Sequence, residues 1–268
     1  MKEIKLVDKE RGIVRVTTTD ERWYAIGSND PVSGLPSYSY YPSATWISSC
    51  YPKDIAFMKW LADQGWDNAD KIKNEAGGRG SKIHAACEHL MHGNPLSWDE
   101  KIKNPKTEVM EDITTSEWGA ICSFKRWFDE TQPNIHLVEH VILSRKYGYA
   151  GTIDLVYEKD GQIVLLDIKT GKNVYTEYEL QLSCYKHALI ESGAFDRIDR
   201  MEILQLGYNR NKAGFKVTEI EDKFDLFLAA RQIWANENGD EKPKQKDYPL
   251  SISISPQWIV KQDQKECA

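Results

Sequence analysis

Gly151-Thr-Ile-Asp154 and Asp167-Ile-Lys169-Thr-Gly171 constrain this chain more than any other stretch, because the residues between them read as a tight hairpin. Lys159-Asp160-Gly161 is a turn signal flanked by apolar runs, as two strands joined by a two-residue loop require. Counting outward from Asp160-Gly161 sets Asp154 directly opposite Asp167, with β-carbons about 5 Å apart. Residues two apart on a strand share a face, so Lys169 joins them. The flanking residues are apolar: Ile153, Leu155 and Val156 on one strand, Ile163 to Leu166 on the other. An Asp–Lys pair two apart can be a surface salt bridge of negligible worth. Two like charges facing each other in a buried sheet are different, costing several kcal/mol unless something compensates. A divalent cation with oxygen ligands is the economical compensation.

Two helical segments frame this hairpin. Downstream, residues 175–190 place Leu180, Cys184, His187 or Ala188, and Leu189 at helical spacing, and Gln181 and Tyr185, four apart, share one face. Their polar ends suit contact with a phosphate or a base. Upstream, Gly78-Arg79-Gly80-Ser81-Lys82-Ile83-His84-Ala-Ala-Cys87-Glu88 reads as a helix from about Ala69 that is interrupted near Gly77–Gly80 and resumes through His92. Ile83, Cys87, Leu90 and Met91 face inward in the resumed part. His84 and Glu88, four apart on the neighbouring face, can aim at one ion.

Taken in order, the His84 segment, Gly151-x-Ile-Asp154, Asp167-x-Lys169-Thr-Gly and Gln181-x-x-x-Tyr185 resemble the nuclease signature of the RecB-type branch of the PD-(D/E)xK superfamily. Phage exonucleases and mitochondrial genome maintenance exonuclease are similar. The resemblance spans about residues 36–190 and includes Ser43-Ala-Thr-Trp-Ile-Ser-Ser followed by Tyr51-Pro-Lys. The chain departs from the pattern twice: Ile153 stands where the family name has proline, and the second acidic position is Asp167 rather than glutamate. Neither change removes a ligand. Some relatives hold an iron–sulfur cluster with one early and three late cysteines. Here Cys50, Cys87, Cys122, Cys184 and Cys267 include no close pair, so no cluster is expected.

The resemblance implies a role for each motif. Asp154 and Asp167 would hold Mg²⁺ or Mn²⁺ with the Ile168 carbonyl as a third oxygen, and His84 as a ligand would tilt the preference toward Mn²⁺. Lys169 would orient or help deprotonate the attacking water and then stabilise negative charge. Beside a metal and other cations its pKa is expected to fall. Gln181 and Tyr185 would position the scissile strand, and Thr170 and Gly171 shape the exit from the strand; Arg79, Lys82, Thr170 and Lys172 are candidate substrate contacts, the three cations by their clustered charge rather than by the resemblance. Glu88 and Glu139 are further candidate carboxylates.

The formal charge of −6 counts against broad coating of nucleic acid. It leaves room for a narrow track: Lys71, Lys73, Arg79 and Lys82 around the His84 helix, Lys169 and Lys172 at the hairpin, and Arg210, Lys212 and Lys216 at a later turn. Among nine tryptophans, Trp46 and Trp60 are candidates for stacking on bases. No stretch approaches eighteen continuous apolar residues, so no membrane span is expected. The start carries acidic residues and lacks the apolar core of a targeting segment. An odd number of scattered cysteines fits a reducing interior, so the cytoplasm of a bacterial or phage-infected cell is the expected compartment.

The chain reads as α/β, a central mixed β-sheet flanked by helices in a restriction-endonuclease-like core. Residues 1–35 form an N-terminal β annex with strands Ile4–Val7, Ile13–Thr18 and Trp23–Ile26, followed by a loop over 27–41. In the core, residues 36–237, a helix over Lys53–Gly65 has Ile55, Met58 and Leu61 as its inner stripe. Residues 94–114 are a loop, Glu117–Glu130 a helix and Ile135–Leu143 a strand. Met201–Tyr208 and Phe215–Ile220 make a hairpin around Asn211–Gly214, and Phe224–Glu237 is helical. The tail, 238–268, is polar, with an edge strand at Ser251–Ile259. The expected function is a metal-dependent DNA exonuclease acting on ends or single strands in recombination, repair or phage DNA metabolism. The alternatives are an endonuclease or flap nuclease using the same site, or a non-cleaving DNA-end-binding partner of a recombinase or annealing protein. Lys169-Thr-Gly171 and Ser183-x-x-Lys186 also match elements of serine β-lactamases, but in the reverse order, which excludes that reading.

Overall fold

Alternating apolar residues near the N-terminus build an antiparallel sheet. A computed structural model describes residues 3–18, 21–29, 36–105, 107–207, 214–239 and 242–244. Strands β1 (Glu3–Asp8), β2 (Ile13–Thr17), β3 (Arg22–Asn29) and β4 (Pro36–Pro42) lie side by side in chain order. The loop expected over 27–41 is therefore replaced in large part by strand, β3 and β4 pairing from Trp23↔Pro42 to Asn29↔Pro36. Tyr38, Tyr40 and Tyr41 favour a pleated surface, and the prolines fall at strand ends, where they cost no ladder bond. The sheet is welded to the rest of the molecule. Ile13 and Tyr24 pack with Val141 and Ala150, the Tyr24 hydroxyl lies 3.0 Å from Thr152 Oγ1, and Ser43 bridges Ala150 in parallel.

Helices α1 (Ala44–Ser48), α2 (Ile55–Gln64) and α3 (Trp66–Met91) follow. Asp54 caps α2, its carboxylate accepting from Phe57 N at 2.7 Å, as its residue type favours. The expected inner stripe of α2 fails. None of its residues is buried, and Ile55 and Met58 are 74% and 58% exposed. Apolar periodicity marks a face without supplying a partner for it; here α2 packs against α3 and buries none of its own residues. The expected break in α3 also fails, since the helix runs unbroken for 26 residues through Gly77, Gly78 and Gly80. Each glycine costs about 1 kcal/mol relative to alanine. That cost is offset by burial of Ile83, Ala86 and Cys87 further along the same rod.

A two-stranded ribbon, β5 (Lys101–Lys103) with β6 (Met110–Asp112), stands within the expected loop. Then come α4 (Thr115–Thr131), β7 (Asn134–Ser144), β8 (Tyr149–Lys159), β9 (Gln162–Lys169), α5 (Thr176–Glu191), β10 (Arg200–Leu206), β11 (Phe215–Glu219) and α6 (Phe224–Asn238). A full capping box, Thr114 with Glu117, starts α4. The five core strands lie in the order β11-β10-β9-β8-β7, antiparallel throughout except for the parallel pair β9 and β10, with α5 in the crossover between them. On one face α3 and α4 pack Ile83, Phe124 and Trp127 onto Leu155, Leu166 and Leu204. On the other, α1, α5 and α6 pack Ile47, Leu180 and Phe227 with Val156, Leu165 and Ile203. This is the expected α/β architecture of a mixed sheet between helical layers. Arg210, Lys212, most of the turn at 211–214 and the edge strand at Ser251–Ile259 lie outside the described residues.

Candidate active site

Asp160 and Gly161 both sit in the left-handed region, at φ 52° and 77°, the pair of conformations a two-residue hairpin loop with matching twist requires. The register follows: Lys159↔Gln162 through Leu155↔Leu166, so Asp154 and Asp167 are the next opposed positions. At that point the ladder stops, and β8 and β9 part. β9 instead continues beside β10 as far as Lys169↔Gln205. Where the next strand acceptor would be, Asp154 Oδ2 accepts the Ile168 N–H at 2.6 Å.

The same level is broken on the other side of β8. Val138↔Leu155 and His140↔Ile153 are paired, leaving Glu139 and Asp154 facing each other outside the ladder, and Glu139 has φ +46°. Left-handed backbone in a non-glycine residue carries strain. The side-chain alternation resets there: Tyr149 and Ile153 of β8 join the α5 side, whereas Leu155 and Tyr157 join the α3 side. Two strands each surrender one residue, and the two carboxylates are released toward each other. From α3, His84 Nδ1 comes within 3.4 Å of Asp154 Oδ1. One ligand atom each of His84, Glu139 and Asp154 lie within 4.8 Å of one another. On β9, Lys169 Nζ stands 2.6 Å from Asp167 Oδ2, an oxygen that is buried and receives no hydrogen bond of good geometry.

Such crowding shifts every proton. Burial lifts Asp167 to about 6, with Lys169 opposing and Asp154 reinforcing the shift. Burial followed by repulsion from Asp154 lifts Glu139 to about 8. Burial alone would also raise Asp154, but His84, Lys169 and the Ile168 N–H hold it below the usual carboxylate range. His84 would be lowered by burial, yet attraction to Asp154 carries it to about 9. Among the side chains alone, burial pulls the Lys169 pKa down, and Asp167 and Asp154 pull it above its ordinary value. The donor set, an imidazole and three carboxylates with one oxygen lacking a donor, fits a divalent cation.

Helix α5 supports the site from the other side. Gln181 Nε2 donates to the Tyr185 hydroxyl at 2.9 Å, and both side chains are buried. Gly151 explains itself here, because a Cβ on it would lie 2.5 Å from the Tyr185 ring. The motif's glycine and tyrosine are thus two halves of one contact, and Tyr185 sits beneath β8 rather than in solvent. Sequence reasoning missed Tyr178, whose ring lies 4.7 Å from Lys169 Nζ. Its spacing, three before Gln181 and seven before Tyr185, put it on the same helix face and was the available signal. Also missed was Gln205, a buried residue whose amide donates to the Gly171 carbonyl at 3.1 Å and so pins the loop after Lys169.

Other candidates fall in different places. Lys82 departs from the expectation of a substrate contact. It is buried, paired with Glu117 at 2.9 Å and Glu111 at 3.4 Å, and donates to the Asp112 carbonyl at 2.8 Å, locking α3 to the start of α4. Trp46 departs as well, its ring stacked edge-on against Trp23 and Trp234. Trp60 packs on Phe57 of its own helix. Glu88 lies one turn beyond His84, 4.0 Å from His92, and its charge helps raise Glu139. Arg79, Thr170 and Lys172 come together around a cavity walled in part by the loop after β9.

A mixed sheet whose middle hairpin carries opposed aspartates, with a lysine two residues beyond the second, defines a restriction-endonuclease-like nuclease core. The chain belongs to the PD-(D/E)XK nuclease superfamily, whose model matches residues 64–243. Among solved structures it is similar to an alkaline exonuclease from Laribacter hongkongensis, with 14% identity and a TM-score of 0.36 over 74% of this chain and 87% of that one. It is also similar to a provisionally named exonuclease from Eubacterium rectale, with 13% identity and a TM-score of 0.28 over 46% of this chain and 50% of that one. No curated protein matches it significantly.

Proposed function

We propose that this protein is a metal-dependent DNA exonuclease that hydrolyses phosphodiester bonds at ends or in single strands. The observation that carries the reading is the fork at Asp154, which brings His84, Glu139 and Asp154 within reach of one ion and sets Asp167 and Lys169 beside them. Asp154, Asp167, His84 and the Ile168 carbonyl would hold Mg²⁺ or Mn²⁺, with Glu139 as a further carboxylate. When bound, the cation supplies Lewis acidity at the scissile phosphate.

The chain's own groups do the rest. Hydrolysis adds water to phosphorus and breaks one P–O bond, so negative charge builds on the phosphoryl oxygens. Lys169, held as an ammonium by its carboxylate neighbours, is placed to stabilise that charge and orient the water. Tyr178 restrains the lysine, while Gln181 and Tyr185 fix the level of β8 through Gly151. The choice of exonuclease within the superfamily rests on the order of motifs that resembles the RecB-type branch: His84, Asp154, Asp167-x-Lys169, Gln181-x-x-x-Tyr185. Roles in recombination, repair or phage DNA metabolism follow from the same resemblance.

The test uses 5′-labelled and 3′-labelled single strands and duplexes, together with a covalently closed circle, in Mg²⁺, Mn²⁺ and EDTA. Metal-dependent shortening of linear strands from one labelled end, with the circle intact, is the expected result. Cutting of the circle would move the reading to an endonuclease. Intact binding without cleavage in either metal would leave a DNA-end-binding protein on a nuclease fold.

A further inference from the structure

Between α3, the start of α4 and the Thr170–Lys172 loop lies a cavity of about 240 Å³. We infer that this cavity, walled by Arg79, Ser116, Thr170 and Lys172, is a phosphate subsite for the strand being processed, a reading that rests on the proposed nuclease activity. Its rim carries two cations and two hydroxyls; its floor is Ile83, Ala120 and Leu206. Arg79 and Lys172 are exposed and have no charged or hydrogen-bonding partner among the described residues. Lys82, three residues further along α3, is fully consumed by Glu111 and Glu117. In a chain of net charge −6, two exposed cations line this one cavity.

The walls are fixed before any ligand arrives. The buried Gln205 amide holds the Gly171 carbonyl at 3.1 Å. A Cβ on Gly80 would lie 3.5 Å from Thr170 Oγ1, so α3 passes close against the loop at this point. Ser116 lies in the first turn of α4, where backbone N–H groups lack helical partners and favour an anion. The acidic residue of that turn, Glu117, is turned away to Lys82 and to its own cap. Lys172 follows Lys169 by three residues and Ile83 precedes His84, so the cavity adjoins the proposed site along both α3 and the loop after β9.

The test is binding without cleavage. Anisotropy of a fluorescent 20-nucleotide oligothymidylate is followed in EDTA across a salt series, with wild type, the double variant Arg79→Ala/Lys172→Ala, and the charge-matched Lys125→Ala/Arg126→Ala, whose cations are already paired on α4. Loss of a phosphate contact predicts about ten-fold weaker binding for the first variant and a salt slope shallower by about 0.7, with less than two-fold change for the control. Equal behaviour of the two variants overturns the subsite. Wild type that does not bind the strand at low salt overturns it together with the nuclease reading. Wild type that binds but never cuts in Mg²⁺ overturns hydrolysis alone, and the variant comparison still decides the subsite.

Discussion

A Cβ at position 151 would stand 2.5 Å from the Tyr185 ring and 2.8 Å from its hydroxyl oxygen, closer than packed atoms tolerate. Gly151→Ala is therefore expected to destabilise the protein by about 1–3 kcal/mol, the usual range for overpacking, and to lower the melting temperature. An unchanged melt would show that Tyr185 moves aside freely. Lys169→Ala removes the ammonium beside Asp167, whose buried carboxyl can take up a proton in compensation, so folding is expected to survive while cleavage falls by about 10²–10³, as when one charge-stabilising donor is lost. Single-turnover rates check this; a rate within a few-fold of wild type would remove Lys169 from the chemistry. At this scale the sequence was legible where spacing fixes geometry. The two-residue turn placed Asp154 opposite Asp167, and alternation put Lys169 beside Asp167. It was not legible where a partner comes from another element. Nothing in the local pattern of Lys82 says that Glu111 and Glu117 will bury it, or that Tyr178 will lie over Lys169.

At the scale of elements, α3 is the instructive failure. Gly77-Gly78-Arg-Gly80 reads as a break, yet the helix passes straight through because tertiary packing of its second half outweighs local propensity. The glycines differ in what surrounds them. A Cβ at Gly78 would meet only Asn104 Nδ2, at 3.9 Å. Gly78→Ala is thus expected to stabilise the protein by up to about 1 kcal/mol, raising the melting temperature by about 2–4 °C. A drop in melting temperature would show that the helix is not continuous in solution. α2 illustrates the converse. Its apolar period is real, but no layer among the described residues covers it, and the period alone cannot report that. The loops expected over 27–41 and 94–114 contain short strands because pairing, not propensity, decides such segments.

For the whole molecule, the sheet, its flanking helices and the motif order were readable from sequence. The fork was not, because it depends on Glu139 and Asp154 leaving their ladders together. That fork sets the expected response to pH. Glu139 and His84 hold protons above their ordinary values of 4.5 and 6.5, to about 8 and 9. The folded state then binds more protons than the unfolded state within each window. The stability they contribute is complete below the unfolded value and is lost as pH rises through the folded one. Metal-free protein is expected to melt progressively lower between pH 6.5 and 9. A bound cation must displace those protons, so the melting shift produced by Mn²⁺ over EDTA should grow across the same window. A shift that shrinks or stays constant would place the ion elsewhere.

The most direct test of the account is single-turnover cleavage of an end-labelled single strand by wild type and Asp154→Asn in Mg²⁺ and in EDTA. Asparagine keeps the size of the side chain and its acceptor for the Ile168 N–H, but removes the charge on which the fork is built. The account predicts cleavage by wild type in Mg²⁺ only, and a loss of about 10³ or more in Asp154→Asn. Cleavage by wild type in EDTA, or by Asp154→Asn within ten-fold of wild type, would contradict it.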